Sequence, residues 1–268
     1  MVRVGLVGCG TIGSRLALTC QRRYRHAARI CALHDADPLR AAALQARLHP
    51  RPPVVSLSEL IRRSQLVVEA ASAEIAAAVA ARALRAGRSV FIMSVGGLLR
   101  DRAWLRLSHR SAGRVYIPSG ALAGLDGVKA MAMGRIRRVS LTTRKPPAAL
   151  ASAPYVRRRR LRLERLTRPR VLFQGSPMAA IKAFPQNTNV AAALALASGQ
   201  PSSRIRVTVI ADPAIRHNAH EVEVEGECGR LRCRVESRPS ENPKTSEIAV
   251  RSAVAALARL FEPVVIGT

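Results

Sequence analysis

The stretch Val4-Gly5-Leu6-Val7-Gly8-Cys9-Gly10-Thr11-Ile12-Gly13 runs an apolar strand straight into three glycines spaced G-x-G-x-x-G, and a helix-like segment follows. That order is the phosphate-handling turn of a dinucleotide fold. Gly8 permits the tight turn, Gly10 lets a pyrophosphate approach the backbone, and Gly13 lets the following helix pack close to the strand. The free N–H groups of Thr11, Ile12 and Gly13 at the helix start then face the phosphates. Residues 29–34 read as the second strand and end at Asp35, where a carboxylate reaches the ribose hydroxyls of NAD and repels a 2′-phosphate. Arg40, close by, pulls the other way, so the cofactor is expected to be NAD or NADP.

Outward from this turn, the pattern alternates strand and helix. Residues 2–7 form the first strand and 12–24 the first helix. Residues 38–48 look helical, and 54–55 and 66–69 are further strand candidates. The alanine-rich span 73–86 is a helix ended by Gly87, and 89–94 is a short strand closed by Gly96-Gly97. Short apolar strands alternating with helices mean a parallel sheet covered on both faces. After residues 115–117 the character changes. Strand-like alternation at 138–143, 170–174, 205–211 and 221–235 predicts a second α+β domain with a mostly antiparallel sheet. Residues 157–160 read as an exposed loop or edge strand. Residues 246–260 read as an apolar-faced helix near the C-terminus, able to return and pack on the first domain. The fold class is therefore α/β: an N-terminal Rossmann-type parallel sheet followed by a second α+β catalytic domain.

Composition sets limits. The chain has 268 residues and a net charge of +27, with 48% hydrophobic residues. The charge invites a nucleic-acid reading. Only eight residues are Phe, Tyr or Trp, too few for base-stacking platforms. Lysine supplies only Lys129, Lys145, Lys182 and Lys244, and this arginine skew with abundant alanine fits a GC-rich coding sequence. Nucleic acid is not the expected partner. No signal peptide pattern and no membrane-length apolar run is seen, so a cytoplasmic protein is expected. Cys9, Cys20, Cys31, Cys228 and Cys233 fit no zinc or redox spacing, which predicts free thiols and no metal.

Three groups in the second half carry chemistry. His220 precedes Val222 and Val224 on one strand face, opposite Glu221 and Glu223, so it points inward while the acids face water. An inward imidazole is also common in ordinary cores; near a cofactor fold it is an acid–base candidate. Phe184-Pro185-Gln186-Asn187-Thr188-Asn189 leads into a helix. Asn187 is a natural N-cap, and Asn189 in the first turn can offer its amide to cofactor or substrate. Asn242-Pro243-Lys244-Thr245-Ser246 enters the last helix, and Lys244 and Thr245 there make an anion pocket suited to a substrate carboxylate.

These residues resemble the L-aspartate dehydrogenase family. The likeness is collinear over nearly the whole chain. It covers the glycine turn, Val68-Glu69-Ala70-Ala71-Ser72, Pro118-Ser119-Gly120-Ala121-Leu122-Ala123-Gly124-Leu125-Asp126 and Leu141-Thr142-Thr143-Arg144-Lys145-Pro146. It goes on through Val171-Leu172-Phe173-Gln174-Gly175-Ser176, the 184–192 stretch, Asn218-Ala219-His220-Glu221, Gly226-Glu227-Cys228-Gly229 and the 242–246 stretch. The resemblance implies a homodimer. It implies a Rossmann domain over 1–117, completed by a C-terminal helix within 241–268, and a catalytic and dimerisation domain over 118–240. It also implies reversible oxidative deamination of L-aspartate through iminoaspartate to oxaloacetate and ammonia, in a route that can feed NAD synthesis. His220 stands at the family's catalytic position, and Ala121 and Asn189 at cofactor-contacting positions. The chain departs from the family pattern at Cys228, where an aromatic residue is common, at Gln186, where a lysine is common, and in the longer, more basic 148–168 segment. Two other readings stand beside this one. One is a related two-domain oxidoreductase of the homoserine-dehydrogenase or dihydrodipicolinate-reductase type. The other is a basic, cofactor-sensing nucleic-acid-binding protein.

Overall fold

The structure is a computed structural model that describes residues 1–185, 189–240 and 246–267. It divides into two compact units: Met1–Pro118 with Ala253–Val265, and Ser119–Ser252 with the last residues of the chain.

The first unit is built on strands β1 (Val2–Val7), β2 (Ala28–His34), β3 (Leu66–Glu69), β4 (Ser89–Ile92) and β5 (Val115–Tyr116), in the order β2-β1-β3-β4-β5. All four pairings are parallel. All four residues of β3 are buried, as a strand covered on both faces requires. The register sets Val7 beside both His34 and Glu69. The chain leaves β1 toward β2 on one side, while β3 returns on the other. The crevice at this switch point, at the carboxyl ends of the strands, is where such folds bind nucleotides. The core gathers Val4, Leu6, Leu16, Leu33, Val68 and Phe91 with Ala253, Leu257 and Ala258 from the Glu247–Ala258 helix. Tyr24 Oη donates to Glu262 Oε1 at 2.7 Å, and its ring packs on Phe261.

Several local expectations need correction. Residues 54–55 form no strand: Val54 makes one isolated bridge to Leu33, because the flanking prolines at 52 and 53 supply no N–H to extend it. Gly96-Gly97 does not simply end β4; it opens a short helix, Gly96–Arg100. A side chain at Gly97 would meet Ala73 O at 2.2 Å, so close packing rather than turn-making explains that glycine. The alanine-rich helix starts later, as Ala76–Arg85. Helices Leu57–Arg63, capped by Ser56, and Ala103–Ser108 were not anticipated.

The second unit holds β6 (Ile136–Lys145), β7 (Arg170–Gly175), β8 (Ile205–Ala211), β9 (Asn218–Gly226) and β10 (Gly229–Ser237), ordered β10-β9-β6-β8-β7. The β6–β8 pair is parallel and the other three are antiparallel. The 221–235 alternation is thus two strands of a hairpin, turning at Glu227-Cys228 before Gly229 at φ +117°. Residues 157–160 are not an edge strand. Arg157 and Arg158 finish a short helix, Pro154–Arg158, whose Tyr155 ring packs against Phe173 and Phe184.

The two faces of this sheet differ sharply. Val139, Leu141, Thr143 and Lys145 of β6, with His220, Val222 and Val224 of β9, are all buried. The other face carries a charge ladder. Glu221 and Glu223 pair with Arg232, Glu223 and Glu225 with Arg230, and Glu225 with Arg138. These arginines are more than half exposed, so each pair adds little stability. Together they reinforce one strand register, since a one-residue slip would turn the charges inward.

Candidate functional site

In the first unit, the G-x-G-x-x-G turn is fixed by its surroundings. Gly8 takes φ +95°, a conformation side-chain-bearing residues rarely adopt, and a Cβ there would lie 2.6 Å from the Ala70 backbone. A Cβ on Gly13 would lie 1.9 Å from Gly8 O. Gly10 differs: nothing lies within 4 Å of where its Cβ would be. Two glycines are therefore required for packing, and the middle one leaves open space over the backbone. Gly10 is also the N-cap of the Thr11–Arg23 helix and gives it no side-chain cap. The first N–H groups of the helix are left for an anion, and Thr11 itself is exposed.

Asp35 closes this turn. Its Oδ2 accepts the Cys9 N–H at 2.6 Å and its Oδ1 the Asp37 N–H at 2.8 Å. A carboxylate offers about four lone-pair positions, so two remain for ribose hydroxyls. Arg40, the cation that could have favoured a 2′-phosphate, has its Nε 3.2 Å from Asp37 Oδ2. The Cys9 thiol is pushed up to about 12, by burial first and the Asp35 charge second. Its sulfur is inert at neutral pH and its backbone N–H does the work. All five cysteines are free.

Glu69 is a site residue that sequence reasoning passed over. It is 0% exposed at the end of β3. Its Oε1 accepts from Ala71 N, Ser72 N and Ser94 Oγ at 2.9, 3.1 and 2.9 Å, and its Oε2 from Ser94 N at 3.0 Å. Burial holds its pKa above the ordinary glutamate value, and these four bonds offset part of that rise. The carboxylate ties the 70–72 turn, against which Gly8 packs, to the end of β4. These parts fit a nicotinamide dinucleotide: an open backbone at Gly10, an uncapped helix start and a carboxylate with lone pairs to spare.

In the second unit, His220 is 4% exposed and lies opposite Thr143 in the β6–β9 register. Thr143 Oγ1 is 3.1 Å from His220 Nδ1. Lys145 lies two residues along the same face and is 5% exposed. Burial lowers its ammonium to about 8. The His220 ring is held down to about 3, mainly by burial and then by the Lys145 charge, so it is neutral at pH 7. Burial by itself would suit a packed core histidine. A hydroxyl on one ring nitrogen and a buried ammonium nearby make this a polar site set in an apolar sheet face. Thr143 and Lys145 were not singled out from sequence; the signal was their phase, two polar residues continuing the inward positions of Val139 and Leu141.

Ala121 is buried in the 118–124 loop at the start of the second unit, and Asn189 is the exposed first residue of the Asn189–Ser198 helix. Gln186 and the proposed N-cap Asn187, like Lys244 and Thr245, lie outside the described residues. Among the described residues there is no cluster suited to a metal ion and no helix long and apolar enough to cross a membrane.

Comparison with known proteins places these features. The family described as "Aspartate dehydrogenase, C-terminal" matches residues 126–260, and "Homoserine dehydrogenase, NAD binding domain" matches residues 8–118. The chain is 43% identical to an L-aspartate dehydrogenase of Methanosarcina acetivorans, covering 100% of both chains. It is 41% identical to L-aspartate dehydrogenase 3 of Bordetella bronchiseptica, covering 99% of this chain and 97% of the other. A crystal structure of an aspartate dehydrogenase from Thermotoga maritima has the same fold, with TM-score 0.71 and 24% identity over the full length of both chains.

Proposed function

The chain belongs to the L-aspartate dehydrogenase family, and from that premise we propose that it catalyses the reversible oxidative deamination of L-aspartate with NAD or NADP. Aspartate, water and the oxidised cofactor give oxaloacetate, ammonium, the reduced cofactor and a proton, through iminoaspartate. The observation that carries this reading is likeness to L-aspartate dehydrogenases over the whole chain at up to 43% identity, both halves included. The homoserine-dehydrogenase match covers the cofactor half alone. Similarity to homoserine dehydrogenases and other oxidoreductases at the level of fold does not select a substrate.

Each residue has a definite task in this reading. Gly8, Gly10 and Gly13 shape the pyrophosphate turn, Thr11 and Ile12 offer backbone N–H groups, and Asp35 takes the ribose hydroxyls. Ala121 and Asn189 contact the cofactor. The nicotinamide that these residues would hold would supply the hydride acceptor for the substrate Cα. His220 acts as the acid–base group. It removes a proton from the water that attacks the imine carbon, or in the amination direction protonates the departing hydroxyl. Lys244, Thr245 and the adjacent helix start hold a substrate carboxylate. Residues 118–240 form the catalytic and dimerisation domain of a cytoplasmic homodimer, and release of iminoaspartate would supply a route toward NAD.

The test is spectrophotometric. Purified protein with NADH or NADPH, oxaloacetate and ammonium should oxidise the cofactor. Oxidation with other oxo acids but not oxaloacetate would transfer the protein to a neighbouring specificity. No oxidation with any of them would end the dehydrogenase reading.

A further inference from the structure

Across β6 and β9, the side chains of Thr143 and His220 meet within the buried face of the sheet. They are directly opposite in the antiparallel register, and are 3% and 4% exposed. The Thr143 hydroxyl is 3.1 Å from Nδ1 of the ring. We propose that Thr143 is the positioning residue of His220: by engaging Nδ1 it locks the ring plane and leaves Nε2 as the nitrogen that exchanges protons with substrate. The proposal rests on the assignment of His220 as the acid–base group.

The chemistry of the two groups supports it. A neutral imidazole has one N–H and one lone pair, and a ring that flips about its bonds would present the wrong atom half the time. Directly opposite positions on neighbouring strands hold their Cβ atoms about 5 Å apart, which keeps the hydroxyl within reach of the ring. A hydroxyl can both donate and accept. When Nε2 carries the proton, Thr143 donates to the Nδ1 lone pair. When Nδ1 carries it, or when Nε2 has taken a proton from water, Thr143 rotates and accepts from Nδ1–H. A carboxylate in this place would accept only, and would favour the charged ring. A hydroxyl serves every protonation state of the cycle without adding charge. Among the described residues this ring nitrogen is the one partner of the Thr143 hydroxyl. Lys145 acts in the same sense from a distance. Burial first and the Lys145 ammonium second disfavour the imidazolium, so the resting ring is neutral and a hydroxyl is a partner it can use.

The test compares Thr143→Val, Thr143→Ala and Thr143→Ser with His220→Ala in the full-length protein. Thr143→Val is close to isosteric and removes both functions of the hydroxyl. It should lower kcat about tenfold to a hundredfold, the usual cost of a misplaced reacting group, with KM for the cofactor unchanged. Thr143→Ala should do the same if the valine variant does not fold. Thr143→Ser should restore most of the loss. In ¹⁵N spectra the Nδ1 signal of His220 should move in the valine or alanine variant and return in the serine variant. Wild-type kcat in a folded valine or alanine variant, with His220→Ala inactive, would overturn the role of Thr143 alone. Full turnover in His220→Ala would overturn the acid–base assignment and this proposal with it.

Discussion

The backbone N–H of Cys9 donates to the carboxylate of Asp35 across 2.6 Å, binding the middle of the glycine turn to the end of β2. The acid proposed to hold the ribose therefore also holds the turn proposed to hold the pyrophosphate. Asp35→Ala should raise KM for NAD about tenfold, equivalent to about 1.4 kcal/mol, with a smaller effect on NADP. With Arg40 occupied by Asp37, wild-type protein should prefer NAD. Initial rates with both cofactors against their concentration measure each point. Equal losses for NAD and NADP in the variant would assign Asp35 to the turn alone.

Gly13→Ala should cost more than any surface change in the first unit. Its methyl would lie 1.9 Å from Gly8 O, a backbone atom that cannot swing away. A loss of about 1–3 kcal/mol is expected from overpacking, together with loss of NADH binding followed by fluorescence. Gly10→Ala, with open space ahead of it, should fold like wild type and lose only cofactor affinity.

Glu69→Gln should destabilise the protein by about 1–3 kcal/mol, because its amide NH₂ would confront N–H and hydroxyl donors in a fully buried place. Chemical denaturation of the two proteins gives the difference directly. A wild-type midpoint in the variant would show that the turn at 70–72 holds without the second acceptor oxygen.

Stability should fall on the acid side in a way that His220 controls. Its folded pKa of about 3 lies below the ordinary histidine value, so the unfolded chain takes up the proton first as pH drops. The folded state loses up to about 1.4 kcal/mol per pH unit from about pH 6.5 downward, until the folded ring itself titrates. His220→Asn should be less sensitive to acid over that window in thermal melts at pH 7 and pH 5. Lys145 acts at the other end. Its folded pKa of about 8 lies below the ordinary lysine value, so stability should rise with pH from about 8 toward 10.5, and Lys145→Met should flatten that rise.

The first sheet and the glycine turn were legible because their signals are local: an apolar run, glycines at fixed offsets, an acid at the next strand end. The double duty of Asp35 was not, since its bond to Cys9 depends on the register of β1 and β2. In the second unit, Glu/Arg alternation running through residues 221–235 hid the turn at Glu227-Cys228, because a hairpin with complementary charges reads like one long strand. The inward direction of His220 followed from its phase with Val222 and Val224. Thr143 came within its reach only through pairing between strands 77 residues apart in sequence. The arginines at 157–160 obscured a short helix whose real determinants are Pro154 at its start and the apolar Tyr155 and Val156 inside it.

Ala253, Leu257 and Ala258 belong to the same core as Val4, Leu16 and Phe91, although more than two hundred residues separate Leu16 from Ala253. During synthesis the parallel sheet emerges first, yet the part of its core that Ala253, Leu257 and Ala258 fill is not made until residue 258 has left the ribosome. The first unit is therefore completed only after the entire second sheet has been made, by a helix that contributes no strand to it.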